Sequence, residues 1–239
     1  MRYSRHYSDS FIGDAIGLVL FIIIFIVIIL FDRVEKKKNR ERCDSIKDFA
    51  EHSGLKYVES VDGFPSRYVF KFADIGRSHK YQALTIGKTD ELDYVVFDFR
   101  YSIGSGDNRR DFRKTVCLIT NNLKVFPDFN LRKERFIDRL KNFFRDIGIK
   151  FPEDAYFSNE YTLEGGDEKK IREFFCHNVR NIFSLYPFYN YECECEGDTL
   201  AVFVNNLMYP DERLRFLENC IKFFYKLKEA KDKEYAIKN

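Results

Sequence analysis

VVFDFRYSIGSGDNRRDFRKTVCLIT, residues 95–120, is the stretch on which the fold turns. Val95, Phe97, Phe99 and Tyr101 alternate with Val96, Asp98, Arg100 and Ser102. That period of two predicts a strand with one buried face. RDFRKTVCLIT, residues 110–120, reads as its antiparallel partner. Between them stands Gly104-Ser105-Gly106. A dinucleotide fingerprint needs a third glycine where Arg109 stands, and then a helix; a strand follows instead. An esterase elbow needs glycines where Ile103 and Asp107 stand. What remains is a hairpin turn, with Asp107 and Asn108 tolerating turn geometry. Gly87-Lys88-Thr89 imitates the end of a P-loop, but Gln82 holds the place of its first glycine and no helix pattern follows.

Working outward, LKYVESV (55–61) and KYQALTIG (80–87) read as further strands. Phe136, Leu140, Phe143 and Ile147 form one helical stripe, which Gly148 ends. IKFPEDAYFSN (149–159) reads as a connector and a boundary. EYTLE (160–164) is strand-like. GGDEKK opens a helix whose stripe runs Ile171, Phe174, Phe175, Val179, Ile182, Phe183 and Tyr186. Asp167 and Glu168 fall in its first turn, where the helix dipole favours them. YNYECECEG and TLAVFVNN form a hairpin around Glu196-Gly197-Asp198, and Pro210 starts a last helix with Leu214, Leu217, Ile221 and Phe224 on one side. With 26 phenylalanines a real core can be buried. The expected fold is α+β: one N-terminal transmembrane helix, then a cytosolic antiparallel-sheet domain with helices packed on it, its C-terminal part ordered β-α-β-β-α.

The membrane expectation rests on residues 11–31. Ala15 to Phe31 carries no charge, and extension back to Phe11 admits only Asp14. Such a run matches a hydrocarbon core of about 30 Å. It shows no polar face, and it ends in Leu30, Phe31 and charges rather than a small-residue cleavage site. Arg2 and Arg5 precede it; Arg33, Lys36, Lys37, Lys38, Arg40 and Arg42 follow. That asymmetry places the C-terminal side in the cytoplasm. The same six cations are the candidate membrane-surface residues, suited to anionic headgroups. The expected organisation is a short extracytoplasmic tail (1–10), the span (11–31), a basic helical stalk (32–54), a mostly β subdomain (55–150), the β-α-β-β-α subdomain (151–230) and a frayed tail (231–239).

Function is less legible. Arg100, Arg109, Arg110 and Arg113, with Lys114 beside them, gather on or near the hairpin and are the candidate binding residues, although Asp98, Asp107 and Asp111 sit among them. Cys193 and Cys195 alternate with Glu192, Glu194 and Glu196, so both thiols share one strand face, expected to be the buried one. No second Cys pair has zinc spacing and no histidine lies nearby, so neither metal nor cofactor is expected. His6, His52, His79 and His177 form no catalytic pattern, and no catalytic residue is assigned. The overall charge is +2, and residues 43–239 carry 32 Lys/Arg against 33 Asp/Glu, which ranks nucleic acid last among partners, behind the lipid bilayer, anionic headgroups and a protein partner.

FDFRYSIGSGDNRRDFRKTV (97–116) resembles a hairpin of uncharacterised bacterial membrane proteins with the pattern FDYRYxxGSGKNRRxxxQTV. FKFADIGRSHK (70–80), FPDFNLRKE (126–134) and FSNEYTLEGGDE (157–168) fit the same family. Asp107 stands where that family has Lys, and Lys114 where it has Gln; Asp107 weakens any use of a basic loop tip. The resemblance implies a membrane-anchored bacterial protein and supplies no mechanism. The reading is a membrane-anchored chain whose cytosolic domain is a binding or interaction module. The alternative is a membrane-associated enzyme with a site assembled from dispersed residues.

Overall fold

A computed structural model describes residues 5–133, 148–185 and 188–238, with side chains from 18 to 233 apart from Tyr189. The chain divides into two units, 1–45 and 46–239. The expected helix over 136–147 and the residues 1–4 of the expected tail lie outside the described residues.

The first helix, α1 (Arg5–His52), covers the expected span and stalk without a break. It stops where expected: Gly54 takes φ +68°, and the Gly54 and Leu55 N–H groups donate to the Glu51 and Ala50 carbonyls. Along α1 the side chains of Leu18 to Phe31 are all apolar and between 37% and 70% exposed. These 14 residues rise about 21 Å, against a hydrocarbon core of about 30 Å. Among the described residues no helix is long and apolar enough to cross a membrane, so they do not support the span expected over 11–31, whose side chains 11–17 lie outside them. α1 already begins at Arg5, within the segment expected as the tail.

The second unit is built on one sheet of eight antiparallel strands: β1 (Lys56–Val61), β2 (Arg77–Lys88), β3 (Leu92–Ile103), β4 (Arg110–Asn121), β5 (Phe129–Lys133), β6 (Tyr161–Glu164), β7 (Glu192–Glu196) and β8 (Thr199–Val204). Their order is β1-β2-β3-β4-β8-β7-β5-β6. A single sheet therefore crosses the expected boundary at 150/151. The hairpin of β3 and β4 is paired without slippage from Leu92↔Asn121 to Ile103↔Arg110. Gly104 is needed at its tip: φ is +82°, and a Cβ there would lie 2.4 Å from the Asn108 carbonyl oxygen.

Strand β3 is buried on both faces rather than one: Val96, Phe97, Asp98 and Phe99 are all inaccessible. One face carries a register row Val96, Cys117, Val202, Cys193, Leu131, Leu163, reaching from β3 to β6. Four helices bury side chains in the core on this face: α2 (Ala155–Glu160), α3 (Glu168–Phe174), α4 (His177–Ile182) and α5 (Pro210–Lys238). The other face carries Phe97, Phe99, Val116 and Phe203 under Phe64, Phe70 and Phe72 of the segment 62–76. A sequence periodicity registers only one packing partner at a time, and here there are two.

Two local departures have clear causes. The helix expected from 168 to 186 is broken at Phe175 and Cys176, where the Arg180 guanidinium takes the Phe175 carbonyl at 2.7 Å. Phe174 and Phe175 are both buried on either side of the junction. The expected connector contains α2, capped by Asp154, whose carboxylate accepts the Phe157 N–H at 3.0 Å.

Candidate functional site

On the second face of the sheet the chemistry changes midway. The row Leu118, Ala201, Glu194, Asn130, Glu164 runs from β4 to β6 and turns from apolar to polar at the β8–β7 step. A 3-10 turn, Lys71–Ala73, sits on that line. Glu194 fixes it there: its carboxylate accepts the Lys71 N–H at 2.5 Å, the Phe72 N–H at 3.2 Å and the Asn130 side-chain amide at 2.9 Å. Burial pushes the Glu194 carboxyl upward, and these donors pull it part of the way back.

Beside the turn opens a cavity of about 420 Å³. Phe72, Tyr101, Ile103, Phe112 and Phe203 form an apolar wall; Lys114, Glu192, Asn130, Arg132 and Glu164 form a polar one. The Lys114 ammonium lies 3.6 Å from the Glu192 carboxylate, both side chains less than a tenth exposed, and 4.1 Å from the Phe203 ring centre. A cation so placed belongs to both walls. At the polar rim Glu164 receives Lys71 at 3.3 Å and Arg132 at 3.6 Å. No histidine or cysteine is among the lining residues. The cavity can hold a molecule that is apolar at one end and hydrogen-bonding at the other, in the size range of small-ligand sites.

The residues singled out from sequence fall partly here. The hairpin does line the cavity, but through Tyr101, Ile103, Phe112 and Lys114. Arg100 and Arg113 are direct cross-strand neighbours and share the parity of Asp98 and Thr115, that is, the opposite face. Arg109 is exposed and pairs with Asp111 at 3.0 Å; Arg110 is exposed at the hairpin end. Of the membrane-surface set, Arg33, Lys36, Lys37, Lys38 and Arg40 are exposed on α1, with Lys36 on Asp32 at 2.7 Å and Lys37 on Glu41 at 3.7 Å. Arg42 departs from that set: it is buried, within hydrogen-bond reach of the Asn39 side chain.

Cys193 and Cys195 are buried as expected, and burial pushes both thiols up, away from the reactive thiolate. Among the described residues no group of three His, Cys, Asp or Glu is placed to hold a metal ion. Sequence reasoning missed Glu192, Glu194, Asn130 and Arg132. The available signal was ECECE itself: alternation puts its carboxylates together on one face, opposite the thiols.

No family model and no curated sequence matches the chain. In fold it is similar to the crystal structure of the mycobacterial trehalose monomycolate transport factor A, TtfA, with a TM-score of 0.52 over 80% of this chain and 94% of that one. The two are 12% identical, so the likeness is one of fold.

Proposed function

We propose that the chain is a membrane-anchored binding module whose sheet-face cavity receives a lipid-like amphiphile. The observation that carries this is the cavity's division into an aromatic wall and a charged wall meeting at Lys114. The fold neighbour is named for lipid transport, which agrees in kind. For the anchor, 14 consecutive exposed apolar side chains on α1 make a surface that water does not favour. The uncharged sequence before them lies on the same helix. The cation asymmetry around 11–31 favours an orientation with the sheet domain on the cytoplasmic side, and exposed Arg33, Lys36, Lys37, Lys38 and Arg40 suit anionic headgroups.

Two measurements test this. Alkaline carbonate extraction of membranes from expressing cells should leave the full chain in the pellet; release to the supernatant defeats the anchor. Native mass spectrometry of the full chain taken gently from those membranes should show a retained lipid mass. That mass should disappear in Lys114→Met/Glu192→Met, which removes the charge pair where the two walls meet while keeping its volume. A chain that emerges bare, or a variant that keeps the same lipid, defeats the cavity reading.

A further inference from the structure

A second cavity, about 660 Å³, opens where β8 ends and α5 begins. Glu192 and Lys133 line both cavities. Its chemistry is different. Asn190, Asn205, Asn206 and Asn219 converge on it from three separate parts of the chain, over a floor that includes Tyr191 and Phe216. The two rings are buried and meet edge to face, 5.5 Å apart. The segment that carries Asn205 and Asn206 is held in place from beneath: the buried Thr115 hydroxyl donates to the Asn206 carbonyl at 2.9 Å and accepts the Met208 N–H at 3.2 Å.

We infer that this second cavity is a polyhydroxyl subsite, taking the sugar headgroup of the amphiphile whose chain lies in the first. The inference rests on the amphiphile reading and extends it to a glycolipid. Three features point that way. A carboxamide offers a donor and an acceptor on one neutral plane, which matches a sugar hydroxyl that both gives and accepts. The charged groups at this cavity balance, Lys133 and Arg215 against Glu192 and Glu212, so it has no excess positive field for a phosphate. The aromatic floor beneath polar walls suits the apolar C–H face of a sugar ring. Glu192 stands at the junction, reached from one side by Lys114 at 3.6 Å and from the other by the Asn205 amide at 3.4 Å. It marks the point where chain would give way to headgroup.

The test uses the full chain in amphipol, titrated by native mass spectrometry with three amphiphiles of equal chain length: dodecyl maltoside, dodecylphosphocholine and dodecyl octaethylene glycol ether. The maltoside should bind about 10-fold more tightly than the other two, the worth of one or two net hydrogen bonds. Asn205→Ala/Asn219→Ala should erase that preference, bringing the maltoside down to the level of the glycol ether. Circular dichroism would show that this variant is folded. Equal binding of all three by the wild type overturns the sugar subsite and leaves the amphiphile reading standing. Preference for the phosphocholine overturns it in favour of a charged headgroup. Binding of none defeats the amphiphile reading itself.

Discussion

The two faces of the sheet follow different rules. The helix-covered face is apolar across six strands, from Val96 to Leu163, and its aromatic rings interlock from Phe126 to Phe224. The other face is apolar only as far as β8 and then carries Glu192, Glu194, Asn130, Arg132 and Glu164. The first arrangement is built mainly on apolar burial, with the Asp98–Arg213 pair as its buried charge. The second gives up apolar burial beyond β8, and retains charges that cost several kcal/mol each to desolvate. That difference is the physical ground for the ligand site proposed on this face.

That contrast can be tested by breaking each face in turn. The largest effect is expected at the charge pair that the helix-covered side does contain. The Arg213 guanidinium of α5 donates to Asp98 at 3.0 Å and also reaches the Ala83 and Val96 carbonyls. Ala83 has φ +51° within an irregularity of β2, and its carbonyl meets that guanidinium. Asp98→Ala strands a buried cation and should cost about 3–5 kcal/mol in denaturant unfolding. A loss under 1 kcal/mol would mean that this pair does not tie α5 to the sheet.

On the other face Lys114→Met leaves the buried Glu192 without its cation and should cost about 3 kcal/mol, while Lys114→Met/Glu192→Met should return to within about 1 kcal/mol of the wild type. If the double variant is as unstable as the single one, the pair is structural and the contrast between the faces collapses. A smaller effect is expected at Asp154. Burial raises its carboxyl, but the Phe157 N–H and the Arg180 guanidinium at 2.9 Å outweigh burial and hold it below the usual carboxylate range. A depressed folded pKa stabilises above the unfolded value, near 4, and that contribution is lost as pH falls through the folded value. Asp154→Asn keeps the cap and should cost about 1–2 kcal/mol at pH 7, with the gap to the wild type closing below about pH 4. A gap independent of pH would remove the ionised pair from the account. Least is expected of Arg109→Ala: its pair with Asp111 is more than half exposed on both sides, and the change in stability should stay under about 0.5 kcal/mol.

Much of the fold was legible because its strands announce themselves. The hairpins 92–121 and 192–204, the last helix and the stop at Gly54 follow from alternation, turn residues and glycine placement. β5 did not, because FNLRK is short and its Asn130 and Arg132 face the polar half, which erases the apolar alternation a strand is recognised by. The candidate site was hidden for a related reason. Its residues come from positions 71–75, 101–114, 130–133, 164, 192 and 203, and no local pattern links them. The arginines drew attention because they cluster in sequence, yet the sheet parts them: register places Arg100 and Arg113 on the face away from the cavity.

The alternation of thiol and carboxylate along β7 has a consequence for how the chain finds its structure. A slip of one residue against β8 would turn Glu192, Glu194 and Glu196 into the phenylalanine core and swing Cys193 and Cys195 out among the cations. Neither set tolerates the other's surroundings, so the misaligned sheet is penalised on both sides at once. ECECE thus acts as a proofreading key for strand alignment, and the same glutamates that give the cavity its polarity keep the two hairpin strands from locking in the wrong phase.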